Sequence, residues 1–319
     1  NNLPGTGIIY CLTRRDCDYV SDFLNKHGIS AMPYYSDDTK LDVFQEALEK
    51  FQNNEIKAIV ATIKLGMGYD KGDIGFIIHY QCPPNIISYY QQIGRAGRNI
   101  DKAIAILMYG KEDRQINNYF IETAFPKKAD CEKVLEVLRK NDGLKKSQIK
   151  FYVNIENREI EKVLMFLENE GAIFYDSNKY FASSKDYVYN EEHYNEIKQA
   201  KKTEMEQMVA LLNTKECYSK FIVNCLDDFS AKNCGKCSNC LGESIFDNNL
   251  TVEDVEEALK YVNGLLIKFS PRKQWPNKNY SDKLAIEYIN QEGIALCKYG
   301  EAGYGELVKK DKYENKQFC

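Results

Sequence analysis

Two groups of residues in this sequence have the types and the spacing that chemistry requires. One is a cysteine cluster, in which Cys217, Cys234, Cys237 and Cys240 follow the spacing C-x16-C-x2-C-x2-C. Four thiolates at about 2.3 Å from the ion form a closed tetrahedral Zn²⁺ site, which is structural rather than catalytic. A set of reduced buried thiols is the alternative, and Cys225 is a fifth candidate ligand. The cluster therefore predicts bound zinc.

The other group is a pair of arginines, Arg95 and Arg98, within the string YQQIGRAGR at residues 90–98. If this segment is helical, the two guanidinium groups share one face. A guanidinium fork suits a triphosphate, because it stabilises the charge that builds on the γ-phosphoryl oxygens. The alternative is a structural arginine pair on a surface helix. The small residues of the string, which let another surface approach closely, favour the phosphate interpretation.

Composition limits the class of protein that positions these groups. The chain has 319 residues, 44% of them hydrophobic and 28% charged, which is an ordinary globular balance for two or three domains. This excludes wholesale disorder and a disulfide mini-protein. A net charge of −4 argues against uniform coating of nucleic acid, although the segment after residue 258 is locally basic. Eleven cysteines, clustered and odd in number, favour a metal over disulfides.

The sequence also gives expectations about location. No apolar run reaches the roughly 18 residues that a membrane span needs, and the N-terminus lacks the pattern of a signal peptide. We therefore expect a cytoplasmic protein with no membrane partner. The chain opens without Met and almost directly into a strand, which predicts that it is a fragment.

The first part of the chain has the pattern of an open α/β domain. Continuous apolar runs at residues 7–12, 58–62, 75–80 and 103–109 predict strands buried on both faces, as in a parallel sheet. Helical patterns at residues 16–26 and 41–51 lie between them, so the order is βαβ. We assign residues 1–125 to this domain.

The remainder predicts three smaller regions. Helical patterns at 131–140, 147–153 and 156–170, then two short strands around Asp176-Ser177-Asn178, form the pattern of a winged helix over residues 126–187. A helical, zinc-binding module is expected over 188–245. Residues 246–319 are predicted to form a helix at 252–269, a Pro-punctuated loop, a helix at 281–291 and an unassigned end.

Three strings in the first domain resemble one family. Residues 7–14 (GIIYCLTR), 60–71 (VATIKLGMGYDK) and 90–98 look like helicase motifs IV, V and VI, in the family's order and spacing. The family is the superfamily 2 helicases, and among them the RecQ-like DNA helicases. The resemblance implies that residues 1–125 are the second RecA-like lobe of such an enzyme.

The resemblance implies roles for individual residues. Arg98 would be the arginine finger that completes an ATP site on the other lobe, with Arg95 and Gln91 at the same interface. Gly66, Gly68 and Asp70 would belong to the nucleotide side of motif V, although the glycines have an alternative as turn residues. Thr62 and Arg14 would lie near the DNA strand, although Arg14 has an alternative as an ordinary charge at a helix start.

Motifs that the sequence lacks also bear on activity. It contains neither a GxxxxGK[ST] phosphate loop nor a DExH box, so the first lobe, which would bind ATP and Mg²⁺, is not in this chain. We therefore expect the chain alone to be inactive as an ATPase. Residues 35–37 (YSD) and Asn99 depart from the family, which has His-Ala-Gly and Asp there.

The cysteine cluster also resembles the RecQ zinc module, with Tyr218 where the family often has Arg. In that module the four ligands match Cys217, Cys234, Cys237 and Cys240, and the position of Cys225 is not one of them. The order here, winged helix before zinc module, looks like a bacterial RecQ-like subfamily. The strings SPRKQWP at 270–276 and GEAGYG at 300–305 are similar to the segment after the zinc module in that subfamily.

Further DNA contacts are expected outside the first domain. In the winged helix, basic and acidic residues nearly balance, so the candidate contacts form a local patch of three lysines. Near the hairpin, Tyr175 or Tyr180 has the type needed to stack on a base. The candidates, each with a plain surface or core alternative, are Lys145, Lys146 and Lys150, and in the tail Arg272, Lys273 and Trp275.

The leading interpretation is the C-terminal part of an ATP-dependent 3′-to-5′ DNA helicase of repair and recombination, acting on single-stranded and forked DNA beside the bacterial nucleoid. One alternative is a DNA-binding module, in which winged helix and zinc site dock DNA without catalysis. Another is the lobe of an RNA helicase, against which the zinc module after a winged helix argues.

Overall fold

The structure is a computed structural model, and it divides into two units, residues 1–242 and 243–319. The structure describes residues 3–36, 41–65, 69–184, 186–244, 251–264, 267–269, 271 and 289–295.

A five-stranded sheet forms the centre of the first unit. Its strands are β1 (Thr6–Tyr10), β2 (Ala31–Tyr34), β3 (Ala58–Ala61), β4 (Ile74–His79) and β5 (Ile104–Leu107). They run parallel in the order β2-β3-β1-β4-β5. The predicted parallel sheet is confirmed. Because all strands are parallel, the loops that follow β1, β3 and β4 meet at one carboxyl edge.

Helices cover both faces of this sheet. They are α1 (Arg14–Lys26), α2 (Leu41–Gln52), α3 (Ile86–Ile93) and α4 (Lys111–Glu122). Alternate residues of a strand face opposite sides, so Ile8 packs in one buried cluster with Phe51, and Ile9 packs in another with Cys17. Sequence analysis did not identify β2 or α4. The short strand β2 contains Pro33, which an edge strand tolerates because one side of it needs no hydrogen-bond donor.

Three helices and a hairpin come next, around a core of their own. They are α5 (Lys128–Arg139), α6 (Lys146–Tyr152), α7 (Asn157–Asn169), β6 (Ile173–Asp176) and β7 (Lys179–Ala182). Apolar residues of all five elements or their ends form one buried cluster, with Val163 and Leu167 of α7 fully buried in it. Leu144 bridges to Tyr180 as a short third strand. This is the arrangement of a winged helix.

The cysteine cluster lies at the end of a long helix. Helix α8 (Glu191–Asn213) leads to α9 (Tyr218–Asn224) and to the short α10 (Ser238–Leu241). Met208 and Leu211 of α8 are buried against the sheet domain, in a cluster that also contains residues of α3 and α9. The zinc module is therefore joined to the lobe by a continuous apolar contact.

The second unit contains α11 (Val252–Gly264) and a hairpin of β8 (Ile267–Phe269) with β9 (Gly293–Ala295). The predicted helix at 252–269 is thus too long. Asn263 and Gly264 end it, as helix-stop residues do, and the β-branched and aromatic residues after them form a strand. The helix predicted at 281–291 lies almost wholly outside the described residues, as do the last residues of the chain.

None of the described helices combines the length and the hydropathy that a membrane span needs.

Candidate functional site

The two arginines lie in a segment that is not helical. Helix α3 ends at Ile93, and residues 94–99, here called the arginine segment, form turns and bends. Gly97 has a φ of +75°, which a left-handed turn requires and which L side chains seldom adopt. Its amide donates to the Ile74 carbonyl oxygen at 3.0 Å. Because the segment is not helical, Arg95 and Arg98 do not share one helical face. They point to different surroundings.

Arg98 lies at the surface beside motif V. Its Nη1 atom is 2.6 Å from Oδ1 of Asp70, and its Nε donates to the Gly94 carbonyl oxygen at 3.3 Å. The side chain of Arg98 is 47% exposed and that of Asp70 is 75% exposed. Gln91, on α3, is exposed as well. The structure thus brings two of the predicted nucleotide-site residues together at an accessible surface.

Arg95 turns inward instead. Its Nη1 donates to the Tyr69 carbonyl oxygen at 2.9 Å, and its Nε is buried with no hydrogen-bond partner among the described residues. Its guanidinium also reaches the hydroxyl of Tyr10, which donates to the Leu65 carbonyl oxygen. Burial raises the pKa of Tyr10 to about 12, although the charge of Arg95 works in the other direction. Arg95 therefore ties motif V to the lobe interior.

The carboxyl edge of the sheet carries the predicted DNA contacts of the lobe. Arg14 begins α1 and is exposed, while Thr13 caps that helix by accepting the Asp16 amide at 3.1 Å. Thr62 follows β3, next to β1 in the sheet, and its amide donates to the Tyr34 carbonyl oxygen at 3.2 Å. Both residues therefore lie at the same edge.

Gln81, which follows β4 at this edge, was not predicted from the sequence. Its side chain accepts the Leu12 amide at 2.7 Å and donates to Asp16 at 3.0 Å, and so holds the loop before α1. Five of the predicted site residues lie outside the described residues and are not placed. They are Gly66, Gly68, Arg272, Lys273 and Trp275.

The three lysines of the winged helix are exposed at the start and along α6. Lys146 is 2.6 Å from Glu161 on α7, whereas no ion pair of Lys145 or Lys150 occurs within the described part of the chain. A glutamate beside Lys146 weakens the positive field that would attract a phosphate. Lys145 and Lys150 are therefore the better candidates of the three.

The two hairpin tyrosines differ. Tyr175 is 50% exposed, and its hydroxyl donates to the Asn178 side chain at 3.0 Å. Tyr180 packs against the winged-helix core and exchanges main-chain hydrogen bonds with Leu144. Tyr175 is thus the one with a ring face near solvent.

The four cysteines predicted as zinc ligands converge. All four Sγ atoms lie within 4.8 Å of one another, with Cys234 and Cys240, and likewise Cys217 and Cys237, separated by 4.0 Å. A tetrahedron of sulfurs about 2.3 Å from zinc has edges of about 3.8 Å, so the donor set and its spacing fit the ion. The chain has a structural Zn²⁺ site, which closes the loop between α9 and α10.

Main-chain amides favour the thiolate form of one of these ligands, Cys234. Burial opposes ionisation of Cys234, but the amides of Lys236 and Cys237 point at its sulfur from 3.4 Å and lower its pKa to about 6. The chain makes this turn through Gly235, which has a φ of +69°. Metal binding requires deprotonated thiols, so the turn prepares the site for the ion.

Cys225 is not one of the converging sulfurs. It caps the end of α9 and packs in the apolar contact between the zinc module and the lobe, and burial raises its pKa. A raised pKa favours the neutral thiol, which is a poor ligand. Its place is in the packing of the module.

A further buried contact was not identified from the sequence. His79, the last residue of β4, is 1% exposed, and its Nε2 lies 2.7 Å from Oε1 of Gln92 on α3. The signal for it was a single histidine at the end of an otherwise apolar strand. Nothing in the sequence indicates that its partner is Gln92.

Two families match this chain. The family described as "Helicase conserved C-terminal domain" matches residues 1–100, and the family described as "RecQ zinc-binding" matches residues 176–241. The arginine segment lies in the first match and the four zinc ligands lie in the second.

Curated proteins from several kingdoms are similar to the chain. It is 44% identical over 108 residues to "Putative ATP-dependent DNA helicase Q1" of Caenorhabditis briggsae, which is 34% of this chain and 17% of that protein. It is 36% identical over 122 residues to "ATP-dependent DNA helicase RecQ" of Bacillus subtilis, which is 38% of this chain and 20% of that protein. The aligned part thus spans about a fifth of the length of these relatives.

A solved structure is similar as well. The crystal structure of a DEAD box protein from the hyperthermophile Methanococcus jannaschii is 27% identical, with a TM-score of 0.32, and the match covers 39% of this chain and 34% of that one. The fold assignment itself rests on the strand order and the parallel register of the sheet.

Proposed function

We propose that this chain, a member of the RecQ-like superfamily 2 helicases that matches their C-terminal portion, is part of an ATP-dependent DNA helicase. The whole protein would bind single-stranded and forked DNA and unwind the duplex in the 3′-to-5′ direction during repair and recombination. Its place of action would be the chromosomal DNA of a bacterial cell. The observation that carries the proposal is the exposed Arg98 just beyond the end of α3.

The ion pair that holds Arg98 is weak enough for another acceptor to replace its partner. Its partner Asp70 is largely exposed, and an exposed ion pair contributes only about 0–1 kcal/mol. Triphosphate oxygens offered by a second lobe can therefore replace Asp70 as the acceptor. A guanidinium at the γ-phosphoryl group stabilises the charge that develops during hydrolysis. In this proposal Arg98 is the arginine finger and Asp70 is its resting partner on the nucleotide side.

The proposal assigns the neighbouring residues to the same interface. Arg95 would fix the main chain at Tyr69, directly before Asp70. It would so keep Asp70 within reach of Arg98. Gln91 would face the partner lobe from the exposed side of α3. ATP and Mg²⁺ would be bound mainly by that other lobe, joined to this one in the same protein.

The DNA strand would follow the carboxyl edge of the sheet. Arg14 and Thr62 at this edge have the groups that bind phosphate oxygens. Arg14 belongs to motif IV after β1 and Thr62 to motif V after β3, so a movement between the lobes would reach the bound DNA directly. We divide the chain for this purpose into the lobe at 1–125, the winged helix at 126–187, the zinc module at 188–245 and the region 246–319.

The test is ATP hydrolysis with single-stranded DNA, measured on the chain and on a version that carries the preceding residues of its own gene. We expect activity only in the longer protein, and Arg98→Ala to lower kcat by about 10³-fold, as removal of an arginine finger does. Arg114→Ala is the matched control, because Arg114 is an exposed arginine of the same lobe on α4. Full activity of Arg98→Ala would contradict the proposal.

The winged helix favours a second candidate, a module that only docks DNA. Lys145 at the N-cap of α6 and Lys150 within it are exposed, and the hairpin of the same domain presents Tyr175. This candidate predicts DNA binding by the chain alone, with an affinity that falls steeply with salt, and no role for Arg98. A longer protein that binds DNA but hydrolyses no ATP would favour it. Equal stimulation by single-stranded RNA would instead favour an RNA helicase.

A further inference from the structure

We infer that His79 is a positioning residue, which fixes through Gln92 where the arginine segment lies and hence where Arg98 is presented. The inference rests on the function proposed for Arg98. It is carried by a buried contact that joins the end of a central strand to the last turn of α3.

The contact is short and enclosed. Oε1 of Gln92 can only accept, so Nε2 of His79 carries the proton and donates it over 2.7 Å. His79 is 1% exposed and Gln92 is 7% exposed. Both partners are shielded from water there, and the bond links the end of β4 directly to the last turn of α3.

Aromatic rings fix the orientation of the histidine. The ring of Tyr10 stacks on one side of it, with centroids 5.4 Å apart, and the ring of Tyr89 lies 4.8 Å away. Tyr10 also meets the guanidinium of Arg95. The imidazole is therefore held between α3, which precedes the arginine segment, and Tyr10, which Arg95 contacts.

The strand β4 holds the arginine segment at both ends. At the start of the strand, the Ile74 carbonyl oxygen accepts the Gly97 amide at 3.0 Å. At its end, His79 holds Gln92, whose carbonyl oxygen accepts the Arg95 amide at 3.2 Å. The first residues of the segment bond back to α3, as Ala96 does to the Ile93 carbonyl oxygen at 3.2 Å, so their position follows that of the last turn of α3. Loss of the His79 contact removes the side-chain bond that ties the last turn of α3, from which the segment starts, to the end of β4.

The other ring nitrogen argues against a purely packing role. Nδ1 of His79 is buried and has no hydrogen-bond partner among the described residues. A buried acceptor without a partner is destabilising, and an apolar ring of the same size would avoid that cost. The feature that phenylalanine could not supply is the Nε2–H group directed at Gln92.

The test uses the longer, two-lobed protein and two variants that keep the shape of the site. His79→Phe keeps an aromatic ring between Tyr10 and Tyr89 but removes the donor, and Gln92→Leu removes the acceptor. We expect each to lower the kcat of ATP hydrolysis about tenfold, with less than a twofold change in the KM for ATP. The double variant should be no slower than either single one, because one interaction is removed in all three.

Tyr35→Phe is the matched control. It removes a buried hydroxyl of the same lobe that donates to Asp18 at 2.9 Å, next to the edge strand β2 and away from α3. Its kcat should equal that of the unaltered protein. The inference is overturned if His79→Phe and Gln92→Leu retain full kcat while Arg98→Ala is inactive, or if their losses multiply in the double variant.

A second readout does not depend on ATP hydrolysis. In the chain itself, hydrogen exchange of the Gly97 and Asn99 amides, which donate to Ile74 and Gly72, should be about tenfold faster in His79→Phe. Amides of β1 and β3 should be unchanged. Unchanged exchange at Gly97 and Asn99 would overturn the inference, whereas faster exchange in a two-lobed protein without ATPase activity would count against the proposed function alone.

Discussion

The zinc turn at residues 234–240 and the arginine segment at residues 94–99 resemble each other in form and differ in the groups that hold them. Both are short, largely irregular stretches, and both turn through a left-handed glycine, Gly235 and Gly97. In the zinc turn three of the four ligands lie within the turn itself. The arginine segment is held by groups far away in sequence, such as the carbonyl oxygens of Gly72 and Ile74. One fold element is fixed by an ion, the other by the sheet beside it.

This difference has a structural consequence, because the two regions are neighbours of the same helix. Helix α3 presents Ile86 and Tyr89 to Met208 and Ile222 of the zinc module, and the arginine segment begins at its other end. Asn85, which caps α3, also donates to Glu204 of α8 at 2.9 Å. The zinc module and β4 therefore both contact α3, the module at Ile86 and Tyr89 and the strand at Tyr89 and Gln92.

The largest effect expected is the loss of zinc. Cys234→Ala removes a ligand, and we expect it to abolish zinc binding and to unfold the module, since structural zinc supplies roughly 10 kcal/mol or more of folding free energy. Zinc content by atomic emission and hydrogen exchange of α9 measure the two outcomes. Cys225→Ala is the control, because its sulfur stands apart from the four ligands. Zinc retained by Cys234→Ala would show that the four-sulfur site is not the binding site.

A smaller effect is expected from the apolar contact between the module and the lobe. Met208→Ala removes a fully buried side chain, and large-to-small changes of this kind cost about 2–5 kcal/mol. The matched control is Met165→Ala, because Met165 is 64% exposed and should cost almost nothing. Urea unfolding measures both free energies. Equal values for the two variants would mean that the module and α3 are not coupled by packing.

The sequence identified the zinc site far better than the arginine site, for a physical reason. Thiolates spaced by two residues can reach one ion by a local turn, so the pattern contains most of the geometry. The end of α3 is different, because Arg95 and Ala96 are good helix formers. The helix nevertheless ends at Ile93, with Gly94 as its C-cap, and the chain then turns through Gly97, which bonds to Ile74, a residue that is not near it in sequence.

The same distinction explains the rest of the fold. Apolar runs located β1, β3, β4 and β5, since buried parallel strands are continuous in sequence. The bond from His79 to Gln92 depends on how α3 crosses the sheet, which no local pattern contains. The residues beyond Gly264 were predicted to continue the helix, because the periodicity of a local segment contains no information about the strand at 293–295 with which they pair.

A third prediction concerns pH and the support of α3 by β4. Burial lowers the pKa of His79 to about 4, although its bond to Gln92 works in the other direction. An unfolded histidine titrates near 6.5, so between pH about 6.5 and 4 the unfolded state binds the extra proton. The free energy of unfolding should therefore fall as pH decreases through this window, by about 2 kcal/mol between pH 7 and pH 5 from this group.

The groups around His79 do not titrate in that range. They are the rings of Tyr10 and Tyr89 and the amide of Gln92. Urea unfolding of His79→Phe at both pH values isolates the effect, because its difference from the unaltered chain should shrink or reverse at pH 5. A constant difference would mean that the histidine is not the buried neutral group described here.

The smallest effect expected compares the two glycines directly. An alanine in the left-handed conformation costs about 1–2 kcal/mol. In Gly235→Ala the new Cβ meets nothing within 4 Å, so the backbone cost should be the only loss of stability. In Gly97→Ala the Cβ also comes within 3.1 Å of the Cβ of Ala103, which adds a contact that the neighbour must relieve. We expect Gly97→Ala to be the more destabilised of the two, by a few tenths of a kcal/mol.

Asparagine tolerates the left-handed conformation better than alanine. Gly235→Asn should therefore recover most of the loss of Gly235→Ala, since space surrounds it, whereas Gly97→Asn should recover less because the Ala103 contact persists. Thermal unfolding of the four variants, with zinc content held equal, gives the comparison. Equal recovery at both positions would mean that the arginine segment shifts as freely as the zinc turn, and that β4 does not fix it.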